Sequence, residues 1–225
     1  MIRMFKELKG SYRFILIIVA LLFLQAYCDL SLPSYTSNII NVGVQQGGIE
    51  DSVPDEIRSS SMEQLMLFMD EDDQETVKEA YELTDEIYTL KKIGDDQREQ
   101  LNEILGVPMV AVESLREGDT ADAIKEQMGL PAQADLLETF AALPEEQRSQ
   151  MTGQLTEQLE EMPDSIITQS SVAYIRQEYQ EMGKDLDQIQ MQYVLFSGLK
   201  MLGFAAVIMA ASVLVTKMKI WVRII

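Results

Sequence analysis

The chain has 225 residues, with 18 lysines and arginines, 37 aspartates and glutamates, no histidine and a single cysteine. This length fits one or two ordinary domains. Without histidine, the chain forms no histidine–metal site and no Ser–His or Cys–His catalytic pair. One cysteine makes no disulfide within the chain, so the composition excludes a disulfide-stabilised scaffold.

The charge is unevenly distributed along the chain. Residues 1–29 carry four basic and two acidic groups, and residues 193–225 carry four basic groups and no acidic one. Residues 30–192 hold 10 basic and 35 acidic residues, a net charge of -25. Such a segment repels nucleic acid, so we predict no DNA or RNA partner.

The first apolar segment, residues 14–32, predicts transmembrane helix 1, because about 20 apolar residues are needed to cross a bilayer. A secretory signal peptide is the main alternative, since it also combines a basic start with an apolar core. The sequence Gln-Ala-Tyr-Cys, which ends at Cys28, contains no small-x-small cleavage site. We therefore interpret the segment as a membrane helix, with Cys28 as an inert thiol.

The second apolar segment, residues 193–216, predicts transmembrane helix 2. Lys200 interrupts it near its outer end, where the long side chain of a lysine can reach the interface. Basic residues flank both segments on the side away from the acidic middle. The positive-inside rule then places residues 1–13 and 217–225 in the cytoplasm and residues 33–192 outside the cell.

Small residues occupy much of the second apolar segment. Such residues let helices approach closely in lipid, and a small-xxx-small pair favours helix association. An ordinary transmembrane composition is the alternative explanation. We predict helix packing, against further transmembrane helices, at Gly198, Gly203, Ala206 and Ala210.

The middle of the chain is predicted to be helical, so the expected fold class is all-α, with two long transmembrane helices bracketing a helical extracellular domain. Residues 33–164 form the predicted extracellular insertion domain, and residues 165–192 form an extracellular extension of helix 2. Apolar residues at helical spacing predict a helix over residues 77–91. The acidic run 70–73 lacks the glycine and glutamate of a calcium loop and indicates a solvated helix start.

Two further features bear on the helices of the middle segment. Asp95 is predicted to begin a short helix that ends near Leu105, with Gly106 as its stop signal. The most strand-like run, residues 107–112, is weakened by its proline. In the extension of helix 2, Gly183 is the weak point of an otherwise continuous helix.

Two separated stretches resemble a known family. The first, after the first apolar segment, has a Leu-Pro-x-x-x-x-x-Ile-Ile-Asn-x-Gly pattern, and the second precedes the second apolar segment. Both resemble the N-terminal part of bacterial ABC exporter half-transporters of the type IV class. Some Gram-positive members of that family carry a large external insertion between helices 1 and 2. The residues that carry the resemblance are Pro33, Ile39, Ile40, Asn41, Gly43, Gly183, Asp185, Gln190 and Tyr193.

The resemblance implies part of an ATP-driven exporter in the bacterial cell membrane, with six helices in each half. This chain would contribute helices 1 and 2 and an acidic extracellular domain that gates, shields or captures substrate. ATP and magnesium belong to the whole exporter, whereas this chain has no phosphate-binding sequence G-x-x-x-x-G-K-S/T. We therefore expect a fragment or truncated product that holds no cofactor, metal or catalytic residue and hydrolyses no ATP.

The implied partners are the lipid bilayer, the remaining helices and nucleotide-binding domain of the same protein, and a second half-transporter. A different class of function is a two-span membrane protein whose ectodomain binds a ligand or a partner protein, as a sensor or adhesion module does. An enzyme is the weakest alternative, because abundant solvated carboxylates do not make a paired acid and base.

Overall fold

A computed structural model describes residues 2–116, 119–131 and 133–224, so the first residue of the predicted segment 1–13 and the last of 217–225 lie outside the described residues. The chain divides into two compact units. The apolar unit comprises residues 1–48 and 188–225, and the acidic unit comprises residues 49–187. In chain order the elements are α1 (Ile2–Asn38), a π-helix (Ile39–Gln45), β1 (Glu56–Arg58), α2 (Ser59–Met66), α3 (Glu71–Ala80), β2 (Tyr81–Thr84), β3 (Ile87–Leu90), α4 (Asp95–Arg116), α5 (Asp119–Met128), α6 (Leu136–Ala141), α7 (Glu145–Glu160), α8 (Asp164–Glu181) and α9 (Leu186–Ile224).

The apolar unit contains two helices that are long and apolar enough to cross a membrane, Ile15–Gln45 with 31 residues and Leu186–Met218 with 33 residues. Only 6% and 11% of the residues in their most apolar stretches are buried, whereas the core helix of a soluble protein is mostly buried. α1 continues through Pro33 and joins the π-helix, so helical structure extends beyond residue 32, where we expected helix 1 to end.

The less exposed residues of α1 and α9 form one stripe along each helix. Spacings of three and four residues alternate along both stripes, as in helices that pack at a shallow angle. The rings of Tyr35 and Phe204 lie 5.1 Å apart, and the Thr36 hydroxyl contacts the Met201 sulfur at 4.0 Å. Because Tyr35 lies against Phe204 and Gly43 lies close to Val194, the two helices run antiparallel. The stripes include Ile18, Leu21, Gln25, Cys28, Leu32, Tyr35 and Ile39 on α1, and Ser197, Met201, Phe204, Ile208, Ala211 and Val215 on α9.

The acidic unit is mostly helical but contains a small antiparallel sheet in the order β1-β3-β2. The expected all-α fold and the predicted helix over residues 77–91 are therefore wrong in part, because α3 ends at Ala80 and a hairpin follows. Asp85 and Glu86 both have positive φ, at 49° and 66°, as a two-residue hairpin turn of the I′ type requires. Tyr81 is buried and its hydroxyl donates to the Pro54 carbonyl, which fixes the first hairpin strand.

α4 is the central helix of the acidic unit and packs against α2, α7 and α8. The predicted stop at Gly106 is wrong, since α4 continues through Pro108 to Arg116 and includes the strand-like run. Gly106 serves close packing instead, because a Cβ atom there would lie 2.9 Å from Ile167 Cγ2. The buried residues of α4 are Leu101, Leu105, Gly106, Pro108, Met109, Val110, Ala111, Val112 and Leu115.

The predicted continuous extension of helix 2 is divided into α8 and α9 at Gly183. This residue has a φ of 73°, in the left-handed region that favours glycine. The Lys184 amide donates to the Tyr179 carbonyl at 2.9 Å, and the Gly183 amide donates to the Gln180 carbonyl at 2.9 Å. These two bonds complete a glycine-based helix end and separate the two helices.

Leu105→Ala tests the central position of α4. Leu105 is fully buried, so the substitution should lower the free energy of unfolding by about 3 kcal/mol through lost burial and the cavity that remains. Denaturation of the full chain in detergent, followed by near-ultraviolet circular dichroism, measures this loss. Leu83→Ala is the matched control, because Leu83 is 53% exposed, and a loss equal to that of Leu105→Ala would contradict the prediction.

Candidate functional site

The structure brings together part of the residue set that carries the family resemblance, at the end of the apolar unit where α1 passes into the π-helix. Gly43 is buried, and a Cβ atom there would lie 2.9 Å from Val194 Cγ2 and 3.4 Å from the Tyr193 ring. Gly48 has a φ of 86°, and a Cβ atom there would lie 3.0 Å from Gln190 Cα. The two stretches thus meet through glycines that allow close approach.

The π-helix gives this junction an unusual backbone. π-helices are rare and occur frequently at functional sites. Beyond its last residue, the Gln46 amide donates to the Asn41 carbonyl at 3.0 Å. The Asn41 side chain donates to the Ser37 hydroxyl at 3.2 Å, and Ile40 is 50% exposed. Only Gly43 of the π-helix is fully buried, so it is the residue that this junction constrains most.

Other residues of the resemblance lie elsewhere. Pro33 is exposed within α1, and Ile39 is half-buried at the start of the π-helix. Gly183 and Asp185 belong to the acidic unit. A Cβ atom added at Gly183 would meet nothing within 4 Å among the described residues.

The four small residues predicted to pack against further helices lie on α9. A Cβ atom at Gly198 or Gly203 would meet nothing within 4 Å among the described residues. Ala206 and Ala210 are exposed and lie off the stripe that contacts α1. Within the described chain, the face formed by Gly203, Ala206 and Ala210 is open.

The acidic unit contains a buried ionic network that the sequence analysis missed. The Glu178 side chain is 1% exposed and accepts hydrogen bonds from the Arg58 amide at 3.0 Å, Arg58 Nε at 2.8 Å and Arg58 Nη2 at 2.7 Å. The Ser61 hydroxyl donates to the same carboxylate at 2.8 Å, and Glu181 forms a further ion pair with Arg58. The network fastens α8 to the end of β1.

These bonds decide the protonation of the network. Burial by itself raises the pKa of Glu178, yet the hydrogen bonds from Arg58 and Ser61 outweigh burial and hold that pKa below its usual value. The hydrogen bond to Glu178 raises the pKa of Arg58, and the hydrogen bond from Arg58 lowers the pKa of Glu181. The charged forms of these groups are therefore favoured.

A second set of bonds holds the start of β1 and the segment before it. Arg98 Nε donates to Asp51 at 2.6 Å, and the Tyr179 hydroxyl accepts from the Asp55 amide at 2.9 Å. Lys184 Nζ lies 2.8 Å from a Glu56 oxygen. Burial raises the pKa of Tyr179 to about 12, so its hydroxyl stays protonated near neutral pH.

A polar cleft of about 590 Å³ opens between the helices of the acidic unit. This volume lies in the range of small-molecule sites. Side chains from α2, α4, α5 and α8 form most of its wall, and most of them are polar. They include Gln64, Glu113, Arg116, Lys125, Gln177 and Glu181.

The acidic run at residues 70–73 has the role that the sequence predicted. Asp70 caps α3, and its side chain accepts from the Asp73 amide at 2.8 Å. Burial, with the charges of Asp70 and Asp72, raises the pKa of Asp73. Among the residues that the structure describes, no group of three or more His, Cys, Asp and Glu side chains could hold a metal ion.

Comparisons of the chain with protein families, with curated proteins and with solved structures gave no match.

Glu178→Gln tests the buried network. Breaking a buried ion pair is destabilising, but Arg58 keeps Glu181 as a countercharge and is 34% exposed, which reduces the loss. We expect the free energy of unfolding to fall by about 2 kcal/mol, measured by denaturation of the full chain in detergent. Glu82→Gln, at an exposed carboxylate of β2, should leave stability unchanged, and equal losses in both variants would refute the assignment.

Comparison of the wild type with Glu178→Gln also tests how the stability depends on pH. Because the pKa of folded Glu178 lies below the ordinary glutamate value of 4.5, its stabilising contribution is complete above that value and is lost as the pH falls through the lowered pKa. The difference in Tm between the wild type and Glu178→Gln should therefore shrink in acid. The opposing shift of Asp73 is common to both proteins and cancels. A difference that stays constant down to about pH 2 would contradict the prediction.

Proposed function

We propose that this chain contributes the first two transmembrane helices and an acidic extracellular domain to a bacterial ATP-driven ABC exporter. The observation that carries the proposal is the junction between the π-helix and α9. Two stretches that resemble the family meet where Gly43 lies close to Tyr193 and its neighbour Val194, although Gly43 and Tyr193 are about 150 residues apart in the sequence.

The charge pattern supports the proposed topology. Basic residues flank the two apolar helices at the chain ends, and the acidic residues between them belong to the acidic unit. The positive-inside rule then favours cytoplasmic termini and an extracellular acidic unit. Lys200 Nζ lies 4.7 Å from the centre of the Phe196 ring. Along α9, Lys200 lies about 25 Å from Lys217, a distance close to the thickness of the hydrocarbon core.

The open face of α9 supports a place among further helices. In lipid, small residues let neighbouring helices approach closely, and Gly203, Ala206 and Ala210 do not face α1. We propose that this face receives another transmembrane helix of the exporter. ATP and magnesium would act at the nucleotide-binding domains of the assembled exporter, and a second half-transporter would complete the substrate pathway.

Cysteine labelling in intact cells tests the topology. In a Cys28→Ser background, Glu138→Cys places an exposed thiol on the acidic unit, and Lys217→Cys places one beyond the apolar part of α9. A membrane-impermeant maleimide should label Glu138→Cys before lysis, and Lys217→Cys only after lysis. Labelling in the reverse order would overturn the proposed orientation.

Copurification tests membership of an exporter. The tagged chain, extracted from its native membrane in mild detergent, should carry vanadate-sensitive ATPase activity supplied by the associated nucleotide-binding domains. Ala206→Leu should reduce that associated activity at least fivefold by blocking close helix approach, whereas Val207→Leu, on a different face, should retain it. A wild-type preparation without associated ATPase would refute the exporter proposal and leave the labelling result intact.

A further inference from the structure

We propose that the polar cleft of the acidic unit binds short peptides that have a free ammonium group and a free carboxylate. The cleft and its residues lie wholly within residues 49–187. This inference goes beyond the proposed exporter, because it assigns a ligand class to the acidic unit and holds for any protein in which that unit serves.

Arg116 supplies the binding group for the carboxylate. Its Nη2 donates to Gln64 Oε1 at 3.0 Å, and its guanidinium lies 5.0 Å from the centre of the Tyr174 ring. Arg116 makes no ion pair with a carboxylate among the described residues, although the acidic unit holds 35 acidic residues. The guanidinium is therefore held in place while N–H groups remain available to a ligand, and its planar geometry suits a carboxylate.

Glu113 supplies the matching group for the ammonium. It lies three residues before Arg116 on α4, at the spacing where opposite charges on a helix commonly meet, yet the two side chains are not paired. The Glu113 atom Oε2 is buried and has no hydrogen-bond partner in the described part of the chain. A buried acceptor without a donor is unfavourable, so an ammonium group of a ligand would relieve a cost already present.

The overall charge favours a zwitterion over an anion. The net charge of -25 between the apolar segments would repel phosphates and polyanions from the cleft. Glu181, which lines the same cleft and pairs with Arg58, adds a further negative charge to the cleft. A peptide with a basic side chain would be attracted over long range and then oriented by Arg116.

The volume and polarity of the cleft agree with this ligand class. About 590 Å³ accommodates a peptide of a few residues, and the side-chain amides of Gln64 and Gln177 can bond to its backbone. A lipid or another apolar ligand would leave these amides and charges unpaired, at a cost in desolvation.

Isothermal titration of the full chain in detergent tests the proposal, with lysyl-alanyl-alanine as the probe. The C-terminal amide and the N-acetyl form of the same peptide are the matched probes. We expect the free peptide to bind, and each blocked form to bind at least tenfold more weakly. Three results would each overturn the proposal: no binding at 10 mM peptide, equal binding of the free and amidated peptides, or displacement of the bound peptide by sulfate at the same concentration as by the free peptide.

Two variants locate the site. Arg116→Gln should remove the preference for the free carboxylate, and Glu113→Gln should remove the preference for the free ammonium group. Arg176→Gln is the matched control, since Arg176 is an exposed arginine of α8 outside the cleft lining, and it should bind like the wild type. If Arg116→Gln unfolds, Glu113→Gln and the blocked peptides still decide the outcome, and wild-type selectivity in Glu113→Gln would overturn the assignment.

Discussion

The interaction on which the acidic unit most depends is the burial of the Glu178 carboxylate against Arg58. An ionised carboxylate in a protein interior is stable only when hydrogen bonds and a countercharge replace its water. Arg58 provides both, through its amide and its guanidinium, and Ser61 provides a further donor. Because Arg58 ends β1 and Glu178 lies on α8, satisfying this one charge joins the start of the acidic unit to its last helix, a separation of about 120 residues in the sequence.

A second constraint acts on the apolar unit. The two apolar helices contact each other at Tyr35 and Phe204, but most of their apolar side chains are exposed among the described residues, a pattern typical of surfaces that bind lipid or other helices. The small residues of the two helices lie in different surroundings. Gly43 and Gly48 permit close approach within the chain, whereas Gly203, Ala206 and Ala210 are exposed in the described part of the chain.

Local signals predicted the helices well wherever the backbone pattern alone decided the structure. The two apolar helices and the helix start at the acidic run 70–73 each follow from hydropathy or from one residue type, whereas at Gly183 the sequence predicted only a weak point in a continuous helix. The hairpin of β2 and β3 does not, because its turn is Asp85-Glu86 rather than a glycine-containing pair, and its first strand is held by Tyr81 against Pro54. Gly106 is a related case, since it allows the close approach of Ile167 and does not end α4.

Composition and hydropathy along the chain are sufficient to predict the two apolar helices, the basic flanks at their outer ends and the lack of histidine chemistry, because these properties are local to the chain. Only the tertiary structure decided which charges are paired. The sequence alone does not distinguish Arg58 from Arg116. In the fold, Arg58 pairs with the buried Glu178, whereas Arg116 lines a cleft and has no carboxylate partner among the described residues. The physical reason is that electrostatic pairing depends on distance and burial, and these are set by which helices meet across the core.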